Sequence, residues 1–188
     1  MGMSVQQTGW TAGMARALPD DGRRYEVLDG ELFVSPAPSP RHQVVLARLY
    51  VCLHPYVTSN RLGWTLWSPA EVEFSITRLV QPDVFVVPDT GTGEPATWRE
   101  VTSLLLAVEA LSPATARADR GPKRRIYQDQ AVPEYWVLDL DARLVERWRP
   151  GDERPEILSR EISWEPRAGI EPLRIDLNDL FADRAPAL

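Results

Sequence analysis

Lysine is almost missing from this chain. Of its 21 basic residues, Lys123 is the single lysine and the rest are arginines. Cysteine is reduced to Cys52, and histidine to His42 and His54. Each shortage excludes something. One cysteine can close no intrachain disulfide and build no cysteine zinc site. Within an apolar helical pattern it reads as a buried thiol. Two histidines are too few for a His-rich metal centre, so a metal would be held mainly by oxygen, which points to Mg²⁺, Mn²⁺ or Ca²⁺. The apolar run "SLLLAV" falls far short of the roughly 20 residues needed to span a bilayer, so no membrane partner is expected. The N-terminus lacks a charged-then-apolar leader, so a cytoplasmic protein is expected, with residues 1–23 as a flexible leading segment and 24–188 as a single domain.

Positive charge is also scarce overall. The net charge is −6 and the pI about 5.0, which counts against a broad nucleic-acid footprint of the usual basic kind. What there is gathers in "TARADRGPKRR", where Arg117, Arg120, Lys123, Arg124 and Arg125 face one acid, Asp119.

The order of elements follows from turn and periodicity signals. "YEVL" and "ELFV" flank Asp29-Gly30, the dipeptide of a type I′ hairpin turn. Ser39-Pro40 opens a helix over 40–57, with a capping hydroxyl and proline in the first turn. Short extended segments follow, of which "DVFVV" (83–87) and "SLLLAVEAL" (103–111) read as buried central strands. Asp119 is expected to cap a helix running to about Ala131, with Ile126 and Tyr127 inward. "EYWVLDL" and "RLVERWR" form a second hairpin, and the tail holds two short strands and a turn of helix. The class is α/β (α+β), a mixed sheet flanked by helices with an N-terminal β-hairpin.

Two acids are out of place in this scheme. Asp83 opens a strand that is otherwise "VFVV", and Glu109 sits between Val108 and Ala110. Either alone reads more simply, Asp83 as an exposed acid at a strand end and Glu109 as paired with an arginine of the next helix. Together, ahead of a basic helix, they point to a neutralising cation, since unpaired buried carboxylates are costly. Lys123 adds a third component. Phosphodiester hydrolysis needs charge neutralisation and a group that orients or deprotonates water. A lysine amine can lose its proton where arginine cannot, and Arg124 and Arg125 would push it that way. The rival reading is a solvated surface lysine.

Four segments in this order, "YEVLDGELFVSPAPSPRHQ", "QPDVFVV", "LLLAVEALSPAT" and "DRGPKRRIYQDQAVPEYWVLDL", resemble the Uma-two family. These are bacterial restriction-endonuclease-like proteins of the PD-(D/E)xK superfamily. The resemblance covers about residues 24–150. It implies a restriction-endonuclease-like core of helix, three strands, helix and strand. It implies a Mg²⁺ or Mn²⁺ ion held by Asp83, Glu109 and the Ala110 carbonyl, with Lys123 as the catalytic lysine. Glu31 looks like a further catalytic acid facing the site, with Glu26 the rival. His42 matches a family position at the start of the first helix and is placed among the nucleic-acid contacts with Arg117, Arg120, Arg124 and Arg125. In one respect the chain departs from the superfamily pattern. Leu111 stands where the lysine two residues after the second acid is usual, and Lys123 would replace it from the following helix.

The expected function is metal-dependent endonuclease activity on nucleic acid, DNA ahead of RNA, with a homodimer as the default assembly. Two alternatives are a non-catalytic nucleic-acid- or protein-binding module, which would leave the acids and lysine poorly converged, and a hydrolase of small phosphate esters, which would enclose them in a pocket.

Overall fold

Asp29 and Gly30 both adopt positive φ, 52° and 82°, and reverse the chain between β1 (Arg24–Leu28) and β2 (Glu31–Ser35). Ser39 then caps α2 (Pro40–Ser59), its hydroxyl accepting from the His42 N–H. The missing donor of Pro40 falls in the first turn, where no intrahelical partner exists. In the computed structural model, which describes residues 9–183, α2 lays Val45, Leu46, Leu49, Leu53 and Val57 against one face of a central sheet.

That sheet has six strands in the order β10-β9-β8-β7-β6-β3. They are β3 (Gly63–Trp67), β6 (Val84–Pro88), β7 (Leu106–Ala110), β8 (Glu134–Asp139), β9 (Leu144–Trp148) and β10 (Glu156–Leu158). Only β7 and β8 run parallel, and a helical crossover joins them, as parallel neighbours require. Residues of even number on β6 and β7 (Val84, Val86, Leu106, Val108) meet α2. Odd-numbered Phe85, Val87 and Ala107 meet the crossover helix and a second sheet. Both faces are therefore covered, which is why these strands read as apolar throughout.

The second sheet has the order β2-β1-β5-β4, with β4 (Val72–Ser75) and β5 (Arg78–Val80). A separate hairpin, β11 (Glu161–Trp164) and β12 (Leu173–Asp176), closes the α2 side with α5 (Leu177–Leu180). Among the described residues no helix is long and apolar enough to cross a membrane.

Three expectations change. The strand expected over 103–111 is shorter, 106–110, because Leu105 leaves the ladder after one bond to Val86. Asp119 does not cap a helix. The crossover begins earlier, as α3 (Ala116–Ala118), and passes through a π turn (Asp119–Lys123) into α4 (Arg124–Asp129). Pro122 gives the π turn a cause: its ring crowds the carbonyl four residues back and it donates no hydrogen bond, so a wider turn relieves the clash. Finally, much of the leading segment expected to be flexible is packed. α1 (Ala12–Arg16) buries Ala12 and Ala15 against Val27 and Leu79. Residues 1–8 of that expectation lie outside the described residues.

Gly63 opens β3 where it meets β6. Its φ is +141°, and a Cβ there would lie 1.9 Å from the Val87 carbonyl oxygen. The backbone cannot yield without breaking the β3–β6 ladder. Gly63→Ala is expected to cost about 3 kcal/mol, read as a fall in the urea midpoint; an unchanged midpoint would refute the close approach.

Candidate active site

At the sheet end where β6 begins and β7 finishes, Asp83 is held from three sides. Its N–H donates to the Val108 carbonyl at 3.0 Å, and its Oδ2 accepts from the Ala110 N–H at 2.9 Å. The residue thus straddles Glu109. Oδ1 takes a 2.6 Å bond from Arg24 Nη1, and His42 Nε2 lies 3.0 Å from Oδ2. The same nitrogen is 3.1 Å from the Ala110 carbonyl oxygen. Both of its neighbours are acceptors, so Nε2 carries the proton. His42 Nδ1 is buried with no partner among the described residues.

The second half of the site surrounds the lysine. Lys123 Nζ lies 2.9 Å from Glu26 Oε1, 3.0 Å from Glu109 Oε1 and 3.3 Å from Asp119 Oδ1. The lysine is only 2% exposed. Tyr127 donates to Glu109 Oε1 at 3.1 Å, and the Gln81 N–H donates to Glu26 Oε1 at 2.7 Å. Lys123 and Tyr127 are four residues apart and share one side of the crossover, as do Asp119 and Lys123.

Electrostatics divide the acids. Burial pushes the Asp83 carboxyl up, but the His42 hydrogen bond, the Arg24 charge and the Ala110 N–H outweigh it and hold it at about 2. Burial pushes Glu109 well above the ordinary range. Lys123 pulls it down, and the surrounding acids Asp119, Asp83 and Glu26 add to the rise. Burial likewise raises Asp119. For Lys123, burial opposes the charged form, yet Glu109, Glu26 and Asp119 together raise it well above the usual lysine value. The expectation that Arg124 and Arg125 free its amine is therefore overturned: Lys123 is an ammonium ion locked among carboxylates.

The expected site residues separate clearly. Asp83, Glu109, Ala110, Lys123 and His42 are brought together. Glu31 is not. It lies on the same face of the hairpin as Glu26, but beside the turn, opposite Leu28, and is exposed. It is Glu26, opposite Phe33 and 1% exposed, that meets Lys123. His42 is buried on Asp83 rather than on a nucleic-acid surface. Of the four arginines, Arg120 is taken up by Glu146 and Asp139, and Arg124 lies 4.7 Å over the Trp148 ring. Arg117 and Arg125 are exposed and make no ion pair among the described residues. Sequence reasoning missed Arg24, Asp119 and Tyr127. For Asp119 a signal existed in its i,i+4 spacing to Lys123.

Four buried carboxylates (Asp83, Glu109, Glu26, Asp119) face two permanent cations, Arg24 and Lys123. Neither Asp119 oxygen receives a hydrogen bond among the described residues. Burial and the neighbouring acids favour the protonated forms of Glu109 and Asp119, a tension that a divalent cation would relieve. Two carboxylates and a carbonyl are hard oxygen donors of the kind Mg²⁺ takes, with water completing its shell. Among the described residues no three His, Cys, Asp or Glu side chains converge on one ion position, and both Asp83 oxygens and the Ala110 carbonyl already have hydrogen-bond partners.

Because Asp83 is depressed from 3.8 to about 2, the stability it contributes is complete above pH 4 and disappears as pH falls through 2. That contribution is about 2 kcal/mol. Asp83→Asn should therefore show a pH-dependent deficit in urea unfolding that shrinks between pH 4 and pH 2. A deficit that stays constant across that range would dismiss the ion pair with Arg24.

Comparison with known proteins places the fold and the family. No curated protein matches the chain. The fold is shared with a protein from Anabaena variabilis ATCC 29413, described as a "putative nuclease belonging to DUF820", whose crystal structure was determined at 1.96 Å. The two are 18% identical with a TM-score of 0.72, over 92% of this chain and 97% of the other. The Uma2 family model, described as "Putative restriction endonuclease", matches residues 14–178, and the chain belongs to that family.

Proposed function

We propose that this protein is a divalent-metal-dependent nuclease that hydrolyses phosphodiester bonds, with DNA as its substrate. The observation that carries the reading is the convergence of Asp83, Glu109 and Lys123, contributed by three separate elements, at one end of the sheet. Membership of the Uma2 family and the restriction-endonuclease-like fold support the same reaction class. A non-catalytic module would have no need to bury four acids together.

Asp83, Glu109 and the Ala110 carbonyl would hold Mg²⁺ or Mn²⁺. When bound, the ion would neutralise charge on the phosphate and lower the pKa of a water. The chain's own residues do the rest. Asp83 stays ionised under all ordinary conditions, fixed by Arg24 and His42. Glu109, fixed at Oε1 by Lys123 and Tyr127, would orient the attacking water beside the ion. Lys123 acts as a positioning residue: its ammonium fixes Glu109 Oε1 jointly with Tyr127 and couples it to Glu26 and Asp119. Arg24 is the cluster member that reaches solvent, its side chain 17% exposed, so a phosphate entering the site meets its guanidinium first. Arg117 and Arg125 extend the anion-binding surface along the crossover. With about three phosphate contacts, the salt dependence of binding to duplex DNA should be shallow, with a slope near −3 on logarithmic axes.

The decisive assay incubates purified protein with Mg²⁺ or Mn²⁺ and linear, supercoiled or single-stranded DNA, with RNA alongside. Wild type is expected to cut DNA, and Asp83→Ala and Glu109→Ala to lose at least a hundredfold. Lys123→Arg should also lose activity, because a planar guanidinium cannot occupy a pocket shaped for one ammonium. Cleavage that survives all three substitutions would overturn the site.

A second measurement does not depend on turnover. Mn²⁺ at about 100 times its dissociation constant should stabilise the wild type by about 2.7 kcal/mol, read as a rise in Tm. Asp83→Asn and Glu109→Gln should abolish that rise; an equal rise in both variants would place the ion elsewhere.

A further inference from the structure

The loop between β6 and β7 (89–105) and the strand β3 frame a cavity of about 540 Å³, within the size range of small-ligand sites. β3 supplies one wall with Trp64 and Leu66, and the loop supplies the other with Glu94, Pro95 and Trp98. Trp64 and Leu66 stand opposite Val87 and Phe85, so the cavity lies on the sheet face that also carries the crossover. None of these residues belongs to the carboxylate cluster around Lys123.

Local contacts fix both walls. Trp98 leans on Phe85, with ring centroids 6.4 Å apart, yet stays 40% exposed. Glu100 accepts hydrogen bonds from the Ala96 N–H at 3.1 Å and the Thr97 hydroxyl at 3.2 Å, which ties the loop down. Asp89 is taken up by the Gly91 N–H. Glu94 is the one acid of the loop without a hydrogen bond or ion pair among the described residues. Past Trp64 and Pro95 the cavity continues into a smaller trough edged by the hydroxyls of Thr90, Thr92, Thr102 and Ser103. Among the described residues no Arg, Lys or His lines either part.

Aromatic walls, one unpaired carboxylate and no cation select a flat, positively charged guest. The face of a tryptophan ring attracts positive charge, from arginine more often than from lysine. A guanidinium is planar and weakly hydrated, and its fork of donors matches a carboxylate. A nucleobase would suit the walls, but it brings phosphates that Glu94 and Glu100 repel and that nothing in the lining neutralises. We propose that this cavity takes the arginine side chain of a partner polypeptide. Its guanidinium rests against Trp64 and Trp98 and pairs with Glu94, and the flanking backbone lies in the hydroxyl-edged trough. The inference stands apart from the nuclease reading and is tested without any assay of cleavage.

The test titrates the full chain with the peptide Gly-Gly-Arg-Gly-Gly, its ends blocked, and follows the seven tryptophan indole N–H signals by NMR. Trp64→Phe and Trp98→Phe assign two of them, and the amide spectrum shows that each variant is folded. Those two signals should move while the others stay, with a dissociation constant of about 1 mM, a modest affinity for a ligand of this size. Glu94→Gln should weaken binding about fivefold. Replacing the peptide's arginine by citrulline, which keeps the shape and loses the charge, should weaken it as much. Glu153→Gln, at an exposed acid in the turn before β10, should bind as the wild type does. Two still signals at about 10 mM peptide, ten times the expected constant, overturn the proposal. So does equal binding of the citrulline peptide, an equal loss in Glu153→Gln, or a larger movement of the same two signals with an oligothymidylate.

Discussion

One buried ammonium ion organises this protein. Lys123 draws together carboxylates from the hairpin strand β1, the central strand β7 and its own helix. Each of these acids would be intolerable without it, since an uncompensated buried charge costs several kcal/mol. The lysine would be equally intolerable alone. The consequence is mutual: the second sheet docks where Glu26 can reach the ammonium, and the crossover winds so that Asp119 and Lys123 point to the same place. The π turn around Pro122 is part of that winding. A chain that uses arginine everywhere else has its one compact cation where three oxygens must approach a single point.

The other half of the cluster works by contrast. Asp83 is satisfied by Arg24, His42 and a backbone N–H, whereas Glu109 shares its cation with two further acids. Two neighbouring carboxyl groups on adjacent strands are thereby pushed in opposite directions, one far below the ordinary range and one well above it. Environments that split a pair of like groups in this way leave one carboxyl permanently ionised beside one that holds its proton more tightly.

Much of this was legible in the residues. The Asp29-Gly30 turn, the Ser39-Pro40 helix start, the strand "DVFVV" and the second hairpin all follow from local rules that the tertiary structure leaves untouched. Asp83, Glu109 and Lys123 were conspicuous because each breaks the pattern of its own segment. What was hidden has a common cause. A surface hairpin buries one face, and nothing local says whether it is that of Tyr25 and Val27. In fact α1 covers them, and the opposite face, with Arg24, Glu26 and Leu28, packs on the central sheet. Missing α1 in the leading segment therefore hid the inward direction of Arg24 and Glu26; Glu31 shares that face but stands beside the turn, where it stays exposed. Asp119 was hidden by a similar step. Read as a cap it faces solvent, but the helix starts three residues sooner and turns it into the interior. The arginine cluster misled because nothing local reveals Glu146, Asp139 and Trp148 as the distant partners of Arg120 and Arg124.

The crossover helix also fixes an order of events. Asp83, Glu109 and Glu26 all precede Lys123 in the chain, and a ribosome adds about 5–20 residues each second. For a few seconds of synthesis the three acids exist without the cation that permits their burial. The hairpin, β6 and β7 cannot close into a dry core during that interval, however strong their apolar contacts. A carboxylate-lined opening stays wet until the helix arrives to seal it. The sheet itself is completed later still, by β8, β9 and β10, but no fragment ending before residue 123 can hold the site together.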